Sequence, residues 1–376
     1  MRGAPRTDAA AAAAAGGDDD GGAWTFVYVR NIDIARVPAP ALDRAWRGMG
    51  VDPEQVAGAG VAGAWVAEFV VRAGYRARFV ELLASIGAGG DRVAAAVAVD
   101  AGYSPAAPHR RAIPDGCAVP QRALAALDEY ARGSLARRWS AIYHGAERPG
   151  VRRLVRASLA EHGLALLPPD PPGCGTRSPE RRSAQGAAQQ ASDLVRQWAP
   201  NHAVLSRQHL AELVPEASAA RLVVYADGAF LPERGAAGIG VYFENAGIPP
   251  MAERLRGHQS AARAEICAVH MALDRLAAAL PAGGGPGAPA REVWVCTDSQ
   301  YVVDGANIYK ETWQLANWLN SKGRHVANRT AFQGLFSAIQ RLSARGYNVF
   351  IHHLPAHAEI PGNEFADVLA KAGALL

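Results

Sequence analysis

The C-terminal part of the chain alternates short apolar segments with segments of helical periodicity, and this order most constrains its fold. The segment RLVVYADGAF is followed closely by GAAGIGVYFEN, and the two predict a β-hairpin. Further along, VWVC and VFIHHL are short apolar strands, and each leads to a helix. Strands that alternate with helices are typical of an α/β domain, which we expect at residues 221–376.

Four acidic residues lie beside these apolar segments. Asp227 is near the end of the first strand, Glu265 at the start of a helical core face, Asp298 at the C-terminal end of VWVC, and Asp367 on the last helix. Each of the first three has an ordinary structural explanation if it is taken singly. Asp227 can belong to a turn, Glu265 can be an acid at a helix N-terminus, and Asp298 can be an N-cap. Taken together, clustered carboxylates are strongly unfavourable without a counter-ion. Hard divalent cations supply one, and Mg²⁺ suits carboxylates combined with substrate phosphates.

Four short motifs resemble those of the type 1 ribonuclease H family. YADGA, ARAE, CTDSQYV and HAEIPGNEFAD occur in that family's order and spacing, and together they span the whole C-terminal segment. The resemblance implies a ribonuclease H-like α/β fold, a mixed five-stranded sheet flanked by helices. It also implies an endonuclease that hydrolyses the RNA strand of RNA–DNA hybrids, leaves 5′-phosphate ends and uses two Mg²⁺ ions, with Mn²⁺ as the alternative metal.

The resemblance assigns a role to each acid. Asp227 would bridge both ions, Asp367 would bind the ion on the nucleophile side, and Glu265 and Asp298 would complete the other. His357 falls where the family places a loop histidine that assists proton transfer or product release, and its ordinary pKa suits that role. The alternative is a surface histidine without a function.

The segment NWLNSKGRHVANRTAF resembles the part of the family that binds the DNA strand. Trp318 and Ser321 would lie beside the DNA backbone and Asn328 in a phosphate pocket, while Lys322 and Arg324 add positive charge. Packing in a helix core is the alternative for the tryptophan.

The sequence departs from the family where the RNA strand is read. Residues 260–263 read SAAR instead of Thr-Asn-Asn/Gln-Arg, so the side-chain amides that contact ribose hydroxyls are missing. Ser260 can still donate to a phosphate, whereas His258 replaces the arginine of that pocket and Glu359 replaces a glycine of the histidine loop. Losing a hydrogen-bond partner costs about 1–3 kcal/mol, so we expect weaker or less selective hybrid binding.

The N-terminal part divides by composition. We expect a disordered N-terminus at residues 1–22, followed by a small α+β unit similar to an RNA-recognition motif at 23–105. A basic helical segment at 118–166, a linker at 167–190 and a helical lead-in at 191–220 come next. In GAWVAEFVV, Trp65 and Phe69 share one strand face. They are either exposed aromatics that stack on single-stranded RNA or core residues. The basic helical segment either contacts the phosphates along a nucleic-acid backbone or is an ordinary solvent-exposed surface.

The composition limits the other classes. The formal charge of +4 permits nucleic-acid binding without requiring it. Four scattered cysteines lack zinc-finger spacing, so we expect no zinc, and their scarcity favours an intracellular location, in the nucleus or cytoplasm. No apolar stretch reaches the ~20 residues that span a bilayer, so we expect no membrane contact.

Three functions remain open at this point. The first is the hybrid-specific nuclease, in a chain whose architecture hints at a retroelement. The second is a nucleic-acid-binding protein with a weakened or vestigial nuclease fold. The third is a DNA-directed relative such as an integrase or resolvase, against which the GNEFAD motif with its upstream histidine argues.

Overall fold

The computed structural model describes residues 22–30, 50–63, 66–84, 98–100, 103–169, 214–281, 291–320, 322–356 and 360–376. The chain forms two compact units. The N-terminal unit consists of Met1–Pro108 and Tyr130–Leu205, and the C-terminal unit of His109–Glu129 and Ser206–Leu376. Within the described ranges, no helix is both long enough and apolar enough to cross a bilayer.

The described residues of the N-terminal unit form an antiparallel sheet of four strands with helices. The strands are β1 (Trp24–Arg30), β2 (Val56–Gly63), β3 (Val66–Arg72) and β4 (Ala98–Val99), in the spatial order β2-β3-β1-β4. Helix α1 (Arg76–Ala84) lies between β3 and β4 in the sequence. Helix α2 (Gln121–Gly145), of which residues 130–145 belong to this unit, and α3 (Pro149–Glu161) follow. The predicted small α+β unit is therefore confirmed.

Aromatic side chains pack on both faces of this sheet. On one face, Phe69 of β3 is fully buried and packs edge-on against Phe79 of α1, with ring centroids 5.2 Å apart. On the other, Phe26 of β1 stacks on Trp139 of α2 at 4.9 Å. Phe69 is thus a core residue, and its interpretation as a base-stacking aromatic is wrong. Trp65 lies outside the described residues.

Strand β2 was not expected from the sequence. Its residues, VAGAGVAG, have little β-propensity, so the strand depends on its pairing with β3. Of the helical lead-in, only residues 214–220 are described, and these are not helical. The predicted segment boundaries stay predictions.

In the described part of the C-terminal unit, five strands form one mixed sheet in the order β7-β6-β5-β8-β9. These strands are β5 (Arg221–Leu231), β6 (Ala236–Phe243), β7 (Met251–Arg254), β8 (Arg291–Thr297) and β9 (Tyr347–His353). The predicted hairpin is the antiparallel pair of β5 and β6, whereas β8 runs parallel to both β5 and β9. The predicted fold class is confirmed.

Helices pack on both faces of this sheet. They are α4 (Ala261–Ala279), α5 (Gln300–Asp304), α6 (Lys310–Leu315), α7 (Arg329–Ser343) and α8 (Pro361–Leu375), with a π-helical turn, Gly305–Tyr309, between α5 and α6. On one face, Val224 and Val295 pack with residues of α4 and α7, such as Leu273 and Phe332. On the other face, Tyr225 packs with Ala366 of α8. This alternation follows the two-residue period of a strand.

Glycines let two helices approach the sheet closely. A Cβ added to Gly238 or Gly240 of β6 would lie 2.1 Å from a carbonyl oxygen of α8, that of Ala370 or Ala366 respectively. A Cβ at Gly228 would lie 2.2 Å from the backbone nitrogen of Glu265. Because only glycine permits such contacts, these positions fix how deeply α4 and α8 are seated.

Candidate active site

The strand register brings two of the predicted acids to the same edge of the sheet. β5 and β8 are parallel, and Tyr225 is paired with Cys296. Asp227 and Asp298 each follow two residues later, so they lie level with each other. Asp298 comes directly after β8, and Asp227 lies within β5, just beyond the part of that strand that pairs with β8. Ligands of open α/β sheets bind at this edge.

The two helical acids reach this edge from opposite faces. Asp367 is on α8, and its carboxylate raises the pKa of the buried Asp227, which places the two charges close together. Glu265 is in the first turns of α4, where its backbone contacts Gly228 directly after Asp227. The four predicted acids therefore form one group, which we call the acid cluster.

The electrostatics of the acid cluster are those of carboxylates that Lys371 compensates only in part. Asp227 is only 8% exposed, and burial raises its pKa well above the ordinary value. The carboxylates of Asp367 and Asp298 raise it further, against the opposing effects of Lys371 and the Gly228 N–H. Burial also raises the pKa of Glu265. Holding several negative charges here costs free energy unless a cation is bound.

Three of the acids accept hydrogen bonds from neighbouring side chains. The sequence alone had assigned these side chains no role in the site. The Ser299 hydroxyl donates to Glu265, the Asn363 amide to Asp298 at 3.0 Å, and the Lys371 ammonium to Asp367 at 2.5 Å. We call these three residues the donor residues.

The sequence contains a signal for each donor residue. Ser299 stands at the start of α5, where serine is a favoured N-cap, and its hydroxyl accepts from the Val302 N–H. Asn363 is part of the GNEFAD motif, and Lys371 lies four residues after Asp367, a spacing that places side chains together on a helix. What the sequence could not give is which carboxylate each one contacts.

The acid cluster fits a divalent cation by its chemistry. Four carboxylates supply hard oxygen ligands, and the buried Asn363 Oδ1 has no hydrogen-bond partner among the described residues, which suits a metal-bound water as donor. As the side chains stand, no three described His, Cys, Asp or Glu residues lie close enough together to hold one ion. Binding would therefore bring the carboxylates closer together than they lie in this structure.

The sequence of the C-terminal unit matches a known family. The profile of the family described as RNase H matches residues 219–375. Ribonuclease H of Thiobacillus denitrificans is 30% identical over 154 residues, which are 41% of this chain and 93% of that protein. For ribonuclease H of Pelobacter propionicus the identity is 30% over 157 residues, 42% of this chain and 86% of that protein. This chain belongs to the ribonuclease H family.

Two other comparisons give weaker support. Human ribonuclease H1 is 31% identical over 156 residues, 41% of this chain, so the chain spans 50% of the length of that relative. A solution structure of the PFV RNase H domain is 23% identical over 41% of this chain and 93% of that chain. Its TM-score of 0.31 is too low to support the assignment.

The segment expected to bind DNA in this ribonuclease H family member is partly in the core. Trp318 is 9% exposed and stacks on Phe336 with ring centroids 5.7 Å apart, so packing accounts for its burial. Asn328 has a left-handed backbone, with φ of 58°, at the start of α7. Lys322 and Arg324 are exposed. Ser321 lies outside the described residues, and the roles in DNA binding stay predictions.

The region expected to contact the RNA strand is at the start of α4. Ser260 is the N-cap of that helix and accepts from the Arg263 N–H at 3.4 Å. The Arg263 guanidinium turns back to the carbonyl oxygens of Arg256 and His258. His258 itself is exposed. His357 and Glu359 of the histidine loop lie outside the described residues, so the proton-transfer role stays a prediction.

Proposed function

We propose that the C-terminal unit is a metal-dependent endoribonuclease that hydrolyses the RNA strand of RNA–DNA hybrids. One observation carries the proposal. Asp227 is buried against Asp298 and Asp367, and the nearby Lys371 already pairs with Asp367. An arrangement this unfavourable in the absence of metal is explained by a cation that binds it during function. Membership of the ribonuclease H family supports the same reaction.

In this proposal the acid cluster holds two Mg²⁺ or Mn²⁺ ions. Asp227 would contact both, Asp367 one, and Glu265 and Asp298 the other. Such ions, when bound, activate a water and stabilise a leaving oxygen. The donor residues Ser299 and Asn363 orient Glu265 and Asp298 through their hydrogen bonds, and His357 would move the proton.

Cleavage of defined substrates tests the proposal. Labelled RNA–DNA hybrid, double-stranded RNA and double-stranded DNA would each be incubated with the full chain in Mg²⁺ or EDTA. We expect cleavage of the RNA strand of the hybrid alone, in Mg²⁺ alone, leaving 5′-phosphates. Asp298→Asn should abolish it. Asp274→Asn, which changes a partly exposed acid of α4 that pairs with Arg341 of α7, should retain it.

A second candidate is a nucleic-acid-binding protein whose nuclease is weak. It is favoured by the start of α4, where the exposed Ala261 and half-buried Ala262 offer no side-chain hydrogen bond to a ribose. Hybrid binding without cleavage in Mg²⁺ and in Mn²⁺ would support this candidate and contradict the first. The retroelement-related architecture and the intracellular location stay predictions.

A further inference from the structure

The sheet face that would bind bases in an RNA-recognition motif is covered in the N-terminal unit. Trp24 is 1% exposed, and Tyr28 packs on Tyr103 with ring centroids 4.8 Å apart. Beside them, the buried Glu68 accepts from Arg138 Nε at 2.8 Å and from Trp139 Nε1 at 2.9 Å. Bases could stack there only after a buried, hydrogen-bonded ion pair had separated, which is costly.

The outer face of α3 is cationic instead. Arg152, Arg153 and Arg156 are exposed, while Val151, Leu154 and other apolar residues of the same helix are buried. Spacings of three and four residues place these arginines on one side of the helix. Glu161, at the C-terminal end, is the one acid in the sequence of this helix.

A tyrosine positions two of these arginines. The guanidinium carbons of Arg152 and Arg156 lie 5.9 Å and 4.9 Å from the ring centroid of the half-buried Tyr143, within the range of a cation–π contact. Arg152 Nε also donates to the carbonyl oxygen of Ala146 at 2.8 Å. In the part of the chain that the structure describes, neither arginine is paired with a carboxylate.

Held guanidinium groups without an anion are suited to phosphate. The planar group presents several N–H donors that match phosphate oxygens, and a side chain that is already positioned loses less entropy on binding. We propose that Arg152 and Arg156, which contact Tyr143 and are together called the arginine face, bind the phosphodiester backbone of single-stranded RNA. The all-arginine composition beside an aromatic ring favours a nucleic acid over an acidic protein. This proposal is independent of the nuclease activity.

Salt-dependent binding tests the arginine face. The full chain, kept in EDTA so that no metal-dependent cleavage occurs, would be titrated into labelled single-stranded RNA by fluorescence anisotropy at several salt concentrations. Each phosphate contact to a single strand contributes about 0.7 to the slope of log K against log salt. Arg152→Gln/Arg156→Gln should therefore reduce the slope by about 1.4 and weaken binding roughly tenfold at physiological salt.

The matched control is Arg76→Gln/Arg78→Gln, which removes the same charge from exposed positions of α1 in the same unit. It should leave both affinity and slope unchanged. Arg152→Lys/Arg156→Lys keeps the charge and should keep most of the slope, which covers the case in which the glutamine variant fails to fold. Equal losses in the glutamine variant and the control would overturn the proposal, as would no loss in either. If polyglutamate competes for the site as effectively as RNA of equal charge does, the proposal is overturned in favour of a general polyanion-binding surface.

Discussion

Replacing Asp227 by asparagine should make the metal-free protein more stable. The substitution keeps the shape of the side chain and removes one charge from a buried position beside two other carboxylates. At an effective dielectric constant of about 20, two carboxylates ~5 Å apart repel each other by about 3 kcal/mol. Lys371 offsets one such repulsion, so about 3 kcal/mol remains. The cost at pH 7 cannot exceed about 4 kcal/mol, since beyond that the carboxyl would bind a proton instead.

The dependence on pH follows from the raised pKa of Asp227. A carboxyl whose pKa is higher in the folded state loses stability as the pH rises from its unfolded pKa through its folded one. The difference between the two proteins should therefore be small near pH 4, the ordinary range of an aspartate, and should grow as the pH rises. Asp274→Asn is the control, because that carboxylate is partly exposed and paired with Arg341.

Thermal unfolding in EDTA and in excess Mg²⁺ is the assay. A gain of about 3 kcal/mol corresponds to roughly 6–12 °C in Tm for a unit of this size. Mg²⁺ at a thousand times Kd should stabilise the wild type by about 4.1 kcal/mol, which exceeds the advantage of the variant, and should stabilise the variant much less. The order of stability should thus reverse between the two conditions. A variant less stable than the wild type in EDTA at pH 8 would refute the electrostatic reasoning.

Four further substitutions probe the same structure. Lys371→Met should tighten Mn²⁺ binding measured by calorimetry without nucleic acid, because a competing cation leaves Asp367; weaker binding would contradict this. Ser299→Ala should raise the pKa of Glu265, because the hydrogen bond from Ser299 lowers it. On acidification the variant should therefore lose Mn²⁺ binding at a higher pH than the wild type, and an unchanged pH dependence of Mn²⁺ binding would contradict this. Gly240→Ala should lower stability by about 1–3 kcal/mol or more in denaturant titrations, whereas Gly58→Ala, with no neighbour within 4 Å, should change it little. Glu68→Gln should cost about 3–5 kcal/mol in the same titrations, since the largely buried guanidinium of Arg138 would lose the carboxylate that compensates its charge.

The acid cluster was predictable because strand ends and helix phase are local properties. Asp298 follows a short apolar strand, and Asp367 lies in a motif with fixed spacing, so the sequence alone places both. The contact of Lys371 with Asp367 and its electrostatic effect on Asp227 were not predictable in the same way. A lysine four residues after an acid usually forms an ordinary ion pair on the helix surface. Lys371 lies near Asp227 as well only because α8 packs on the sheet that carries this aspartate.

The N-terminal unit was harder to predict because its sheet has little sequence signal. Strand β2 consists of alanine, glycine and valine, and it forms through pairing with β3. The aromatic residues of β1 and β3 follow the two-residue period as expected, but the period does not tell which face is covered. That depends on α2 and α3, which come from a segment read only as basic and helical.

The glycines of β6 also limit how this protein can evolve. Where a helix rests on side chains, a mutation can be absorbed by repacking of its neighbours. At Gly238 and Gly240 the backbones of α8 and β6 are in direct contact, so no side chain can adjust. Any larger residue at these positions must displace α8, and Asp367 with it. We therefore expect sequence drift in the surrounding core to leave the position of this acid nearly unchanged, while drift at the two glycines is removed by selection on activity.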